Sequence, residues 1–299
     1  MIPKPSKVEK IFNLVERACC LRDMLSSPQL LRIINGIKTL PSVPRIYNQL
    51  LEQLQSENVS TQDVGKTIAQ DAAMTAKILQ LVNSAFFGIA ENISSPQKAV
   101  TILGINTIKS LVLGIQVFSE YQGQRNLPIS VDAIWKHSLY VSHMAFTIAR
   151  SLDLSSQERE DARVSGVLLD VGMLLGFQIP GYFQNVRFNK NGQTLIETEY
   201  QFLGTSHAEM GGYLLGIWGL PGSIVEVVTF HHTPDKVDTL QPGLPTVLHI
   251  ANGLVNICHD EKVENNASYL DMPFLQRIGL ADRLEAWESL TRSLLNMAE

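Results

Sequence analysis

The chain has 299 residues, 45% of them hydrophobic, which is enough for one large domain or two modest ones with a real core and excludes a disordered chain. Its 24 basic and 29 acidic residues leave a net charge of −5, which argues against a broad surface for nucleic acid or an anionic membrane. Cys19 and Cys20 are adjacent and Cys258 is distant, a spacing that makes neither a disulfide framework nor a thiolate metal site and that suits a reducing cytoplasm.

Residues 7–25 place Val8, Ile11, Phe12, Val15, Ala18 and Cys19 at helical spacing, so an amphipathic helix is expected there, as an appendage. Charges interrupt this stretch, so it is not expected to be a secretory signal, and no apolar run approaches the ~20 residues of a membrane span. Pro41 and Pro44 break the pattern before a helix carrying Ile46, Leu50, Leu51 and Leu54. Ser60 and Asp63 form a capping box for a helix through Val64 and Ile68, and a third helix runs from Ala72 until Gly88 stops it. Two short helices in succession could read DNA. The second offers only Lys77, Gln80 and Asn83 as long polar side chains, which favours plain helix packing. Ser95-Pro96 opens a further helix, and Gly104 turns it into the stretch of Ile108, Leu111, Val112 and Ile115.

Gly123 to Pro128 is polar and turn-rich, the best boundary candidate. In the helix from Ser130 to Arg150, His137 shares a face with Val141, Met144 or Ala145, and Ile148, whereas His143 lies about 240° further round and is expected at the surface or a boundary. Ser155 and Glu158 form a second capping box. That box launches the helix expected to contain Val164 to Leu175, an almost wholly apolar run with Asp170 in its middle. A carboxylate in such a helix requires hydrogen bonds, a cation or a metal. No strand alternation stands out, and Asn191-Gly192 joins helical patterns, so the chain reads as all-α. Ser206 and Glu209 form another capping box with His207 in the first turn. Gly219-Leu220-Pro221 then separates that helix from the next, which ends at His231-His232 before Pro234. Val247 to His259 is a further apolar helix, and Pro273 to Met297 an amphipathic tail.

His137, His207, His231 and His232 are the side chains that could answer Asp170. Imidazoles and a carboxylate spread over several helices suit a divalent metal inside a bundle, and equally suit satisfied core and helix-end histidines.

Several segments together carry a family resemblance: LPSVPRIYNQLLEQL, IAQDAAMTAKILQLVNSAFFG and ISSPQKAVTILGINTIKSLVLG, then WKHSLYVSHMAFTIAR, SGVLLDVGML, HAEMGGYLLGIWGLP, VVTFHH and VLHIANGL. Over roughly residues 35–260 the chain resembles the HDOD-domain proteins, relatives of the HD-type metal-dependent phosphohydrolases. The resemblance implies an all-α, two-lobed fold: an appendage over 1–34, an HDOD N-terminal lobe over 35–122 and an HD-like lobe with a helical tail over 123–299. It aligns His137 with the first HD ligand and Asp170 with the aspartate of the His-Asp doublet, the two residues that would be catalytic if the chain were active. The doublet's histidine falls on Leu169, which has no lone pair, and the later aspartate falls on Asn252, which has no charge. His207, His231 and His232 match the additional histidines of bimetal HD proteins, so a variant metal site of these three with Asp170 and His137 remains open. The Gly-Tyr-Pro signature of the cyclic-dinucleotide phosphodiesterase branch is absent. The resemblance therefore implies a bacterial, cytoplasmic signal-transduction module without catalysis, acting on a protein partner rather than nucleic acid or membrane. It requires no cofactor, leaving a divalent metal ion at the variant site as the open case. The alternative is a metal-dependent phosphohydrolase with an atypical His/Asp site, and a third reading uses the first lobe to bind nucleic acid or a partner helix.

Overall fold

The computed structural model describes residues 8–41, 43–54, 60–84, 86–87, 89, 91–121, 129–186, 193–238, 241–259 and 269–298, and every regular element among them is helical. The all-α expectation holds. The Gly123 to Pro128 connection and the Asn191-Gly192 pair lie outside the described residues.

Helices α1 (Val8–Leu25) and α2 (Pro28–Gly36) lead into the chain. In α1, Leu21 and Leu25 touch the core and Val15 is 54% exposed, while the side chains of Val8, Ile11 and Phe12 in the expected stripe lie outside those described. Arg17 ties the helix to the body of the chain, its guanidinium donating to both Glu226 oxygens at 2.9 and 2.6 Å. Ser27 accepts the Leu30 amide to start α2, and Pro28 fills its first turn, where a missing N–H costs nothing.

The first lobe comprises α3 (Arg45–Gln53), α4 (Thr61–Ala69), α5 (Ala72–Val82), α6 (Pro96–Leu103) and α7 (Ile105–Glu120). Ser60 and Asp63 complete the expected capping box of α4. α5 buries Met74, Ile78 and Val82 but ends short of Gly88. There the Asn83 side chain donates to the Leu79 and Ile93 carbonyls at 2.9 and 2.8 Å and accepts from the Ile93 amide at 2.7 Å, a clamp invisible to periodicity. Gly104, at φ +80°, bends the chain by 119° between α6 and α7.

The second lobe comprises α8 (Val131–Ser151), α9 (Ser156–Val167), α10 (Met173–Gly176), α11 (Tyr182–Asn185), α12 (Leu195–Leu203), α13 (His207–Ile217), α14 (Gly222–Phe230) and α15 (Leu244–His259), followed by α16 (Met272–Arg277) and α17 (Leu284–Ala298). The expected single tail helix is divided between α16 and α17, because the Leu280 amide turns back to Leu275 O through Gly279, at φ +72°. Among the described residues two apolar clusters hold the chain. One runs from Leu30 across the first lobe into Val164, Val167, Met210 and Val228, so the lobes share it. The other joins α8 and α15 to α16 and α17 through Val141, Ile148, Leu254, Phe274 and Trp287. His143 stands at the junction between lobes, half-buried, its Nδ1 donating to Phe86 O at 2.5 Å. Among the described residues no single helix is long and apolar enough to cross a membrane.

Candidate metal centre

The apolar run around Asp170 is not one helix. α9 stops at Val167, residues 168–172 form turns, and α10 starts at Met173. The amides of Leu168, Leu169 and Val171 each return to a carbonyl three residues back, so the backbone winds too tightly for an α-helix. Tertiary packing explains the break. A Cβ on Gly172 would lie 2.0 Å from His207 O and 2.5 Å from Gly211 N, so the turn is pressed against the first turn of α13. This contact brings Asp170, 5% exposed, to His207.

His207 opens α13 behind Ser206, whose hydroxyl accepts the Glu209 amide. The reciprocal half of the expected capping box does not form. The Glu209 carboxylate instead accepts from the Tyr200 and Thr205 hydroxyls, which reach it first because all three are gathered between α12 and α13. The imidazole of His207 is held by Glu199, which accepts from its backbone amide at 3.0 Å and from its Nδ1–H at 2.8 Å. Tyr182 donates its hydroxyl to the other Glu199 oxygen. Burial opposes the charged form of His207, but Glu199's charge and hydrogen bond, with Asp170, outweigh it and raise the imidazole above its ordinary pKa. For Tyr182, burial and then the Glu199 charge drive the phenol well above its usual value, keeping it a donor.

With Nδ1 engaged, Nε2 of His207 faces the site, 3.6 Å from Asp170 Oδ1 and 3.3 Å from Nε2 of His232. His231 donates Nδ1–H to Val228 O at 2.7 Å, and its Nε2 is buried with no hydrogen-bond partner. Burial, reinforced by the neighbouring imidazoles, holds His231 and His232 well below the ordinary histidine pKa, so both stay neutral. His249 Nδ1 donates to His231 O at 2.9 Å and its Nε2 accepts from the Asp271 amide, bracing the end of α14 from α15.

One ring nitrogen each from His207, His231 and His232 lies within 4.8 Å of the other two. A tetrahedral ion with ~2.0–2.1 Å metal–nitrogen bonds needs donors about 3.3 Å apart, the spacing of the His207–His232 pair, so a small inward movement of His231 completes three sides of such a site. Asp170, with Oδ1 3.6 Å from His207 Nε2, offers a carboxylate for a fourth. Asp170 and Glu199 also bring two carboxylates into a buried region, which a dication neutralises. The orphaned His231 nitrogen, the fixed tautomers and this charge fit a divalent metal ion.

His137 stands differently. Its Nε2 lies 2.7 Å from Oδ1 of Asn252, which also accepts from Asn256 Nδ2 at 3.1 Å, and 3.7 Å from Asp170 Oδ2. An amide oxygen only accepts, so His137 Nε2 carries the proton and that nitrogen has no lone pair to offer. Leu169, fully buried, packs into the second apolar cluster. The His137 nitrogen that faces Asp170 is thus the protonated one, and the ring's lone pair lies on Nδ1.

His207 and His232 open onto a cleft of about 140 Å³ lined also by His137, Asp170, Met173, Leu195 and Asn252. Through Leu195, His232, Asn252 and Asn256 it joins a second cleft of about 420 Å³ whose walls include Tyr269, Asp271 and Met272. Sequence reasoning missed Glu199, Tyr182, Asn256 and His249. Glu199 had a signal, because it sits between Leu195 and Leu203 on the apolar stripe of α12 at spacings of four.

The sequence profile of the HDOD domain matches residues 40–234. An uncharacterized protein of Treponema pallidum is 22% identical over 224 residues, covering 72% of this chain and 42% of that protein. Ribonuclease Y of Thermus thermophilus is 26% identical over 148 residues, covering 50% of this chain and 21% of the enzyme. The chain therefore spans less than half the length of these curated relatives. Among solved structures, an HDOD domain protein of unknown function from Geobacter sulfurreducens superposes with a TM-score of 0.71 at 22% identity, covering 93% of this chain and 99% of that one. A candidate phosphohydrolase from Shewanella amazonensis SB2B gives 0.66 at 20% identity over 92% and 100% of the two chains. A candidate signal transduction protein from Marinobacter aquaeolei VT8 gives 0.64 at 18% identity over 94% and 65%.

Proposed function

The chain belongs to the HDOD domain family, and from that premise we propose that it is a signal-transduction module of the bacterial cytoplasm that has kept the HD bundle, lost hydrolysis and acts by binding a partner protein. The observation that carries this reading is the 2.7 Å bond from His137 Nε2–H to Asn252. It ties up the nitrogen that HD chemistry needs as a donor, at the position where Asn has replaced the charged ligand. Leu169 removes a further donor, and its side chain is committed to the apolar core. The Marinobacter relative's description as a candidate signal transduction protein agrees with a regulatory role.

In this reading His207, His231 and His232, with Asp170, hold a divalent ion that ties α13, α14 and the 168–172 turn together. Such an ion, when bound, supplies a Lewis acid that polarises oxygen ligands. The chain's own contribution is positional. Glu199 orients His207, Val228 O orients His231, and Asn252 keeps the His137 proton on Nε2.

The second reading, a metal-dependent phosphohydrolase with an atypical site, is favoured by the joined clefts, which give a small organic phosphoester room beside His232 and Asp170. Metal analysis of protein purified without chelator, followed by a broad panel of nucleotides and phosphoesters with Mn²⁺, Mg²⁺ or Zn²⁺ added, separates the two. The proposal expects no metal-dependent turnover. Turnover that disappears in Asp170→Ala while the chain stays folded overturns it in favour of the hydrolase.

A further inference from the structure

We propose that Glu199, set by Tyr182, is the positioning residue of the metal centre: it fixes His207 in the Nδ1–H tautomer and aims its Nε2 lone pair at the ion. The inference rests on the reading of His207, His231 and His232 as ligands and assigns a role to two residues that touch neither ion nor cleft.

Glu199 is fully buried and its carboxylate is saturated from one side, accepting the His207 backbone amide at 3.0 Å, the His207 ring N–H at 2.8 Å and the Tyr182 hydroxyl. Two of these three donors belong to His207, so the carboxylate grips both the backbone and the ring and leaves the imidazole no rotation that keeps both bonds. A neutral imidazole with its proton on Nδ1 has its lone pair on Nε2. That nitrogen points at Nε2 of His232 and at Asp170. Carboxylates in this outer position raise the basicity of a ligating histidine as well as orienting it. Tyr182 completes the arrangement. It is buried, Gly176 lies against its ring with no room for a Cβ, and its hydroxyl holds the far oxygen of Glu199 so that the near one stays on His207. Because Asp170 and Tyr182 lie on the same short stretch of chain, either side of α10, one segment delivers both a ligand and the group that orients another. A carboxylate kept only for stability would need no such division of its two oxygens.

The test uses the full chain, Glu199→Gln and Tyr182→Phe, each checked for an unchanged helical signal, and titrates Co²⁺ alone by visible absorption and calorimetry. Glu199→Gln is expected to bind Co²⁺ 10–100-fold more weakly with an altered d–d spectrum, and Tyr182→Phe more weakly by a smaller factor. A Glu199→Gln affinity within twofold of the parent chain, with the parent spectrum, overturns the proposal. Should Glu199→Gln fail to fold, the Tyr182→Phe spectrum decides, since that change leaves the carboxylate in place. If the parent chain binds no Co²⁺ the metal reading itself fails. ¹⁵N NMR of His207 in the metal-free protein then decides the positioning: an Nδ1–H tautomer that becomes mixed in Glu199→Gln supports it, and one unaltered by the substitution refutes it.

Discussion

Gly172→Ala is the substitution that most directly tests how the site is assembled. Gly172 has φ −67° and ψ −26°, a conformation alanine adopts freely, so the added methyl introduces no backbone strain. Its effect is purely steric. The new carbon would lie 2.0 Å from His207 O, 2.5 Å from Gly211 N and 3.0 Å from Gly211 Cα. Ordinary contact begins at 3.4 Å, so the 168–172 turn and α13 must separate by about 1.4 Å, and both sides are backbone with no rotamer to give way. Overpacking a tight interior costs about 1–3 kcal/mol, and a contact between two backbones belongs at the top of that range. For a chain of this length about 3 kcal/mol lowers the melting temperature by ~5 °C or more. The same displacement carries Asp170 away from His207, now 3.6 Å apart, so divalent-ion binding weakens together with stability. Gly216→Ala is the control. The site is exposed in the same helix with nothing within 4 Å, and replacing a helical glycine by alanine there gains about 0.5–1 kcal/mol. Thermal melts followed by circular dichroism, paired with Co²⁺ titration, measure both effects. A Gly172→Ala protein melting within a degree of the parent refutes the packing argument.

Three further substitutions test other joints. Burial, with Arg163 and Arg150 nearby, holds His143 below its ordinary pKa, so the unfolded chain binds its proton more readily. Its contribution to stability is complete above the unfolded value of about 6.5 and falls away as pH drops toward the folded pKa. Urea midpoints measured from pH 7.5 to 5 are therefore expected to fall less steeply for His143→Gln than for the parent, and equal slopes would dismiss the effect. Asn83→Ala removes two hydrogen bonds that tie residue 83 to Ile93 and a third to Leu79 O, and is expected to cost about 1–2 kcal/mol by urea unfolding. Arg17→Ala breaks the bidentate contact with Glu226 that docks α1, and because Arg17 is a third exposed the loss should stay near 1 kcal/mol and shrink with salt. Hydrogen exchange confined to α1 would report it, and unchanged exchange would show that apolar contacts such as those of Leu21 and Leu25 hold the helix without the ion pair.

Short-range chemistry was legible in the residues. Ser60 with Asp63 and Ser155 with Glu158 form their capping boxes because both partners lie within one turn, and no distant contact competes. Ser206 with Glu209 shows the limit. The cap hydroxyl behaves as spacing dictates, while the glutamate is drawn to Tyr200 and Thr205, polar groups that the fold gathers around it. The end of α5 at Asn83 and the division of the tail at Gly279 were hidden for a similar reason. Apolar periodicity continues through both places, and long-range or reversed hydrogen bonds stop the helix.

The sequence alone determined that the chain is a helical bundle with an inward His137, an isolated Asp170 and histidines near two helix ends, because apolar periodicity and helix-terminal chemistry act within a few residues. Tertiary structure decided the rest. Asp170 sits in a tight turn rather than a helix because α13 presses on Gly172. His207, His231 and His232 converge, while His137 is diverted to Asn252, across 115 residues of chain. Each tautomer is set by an acceptor on another turn or another helix: Glu199 for His207, Val228 O for His231 and Asn252 for His137. A metal-ready imidazole and a hydrogen-bonded one are the same residue in sequence. The acceptor that claims its proton distinguishes them, and packing brings that acceptor into place.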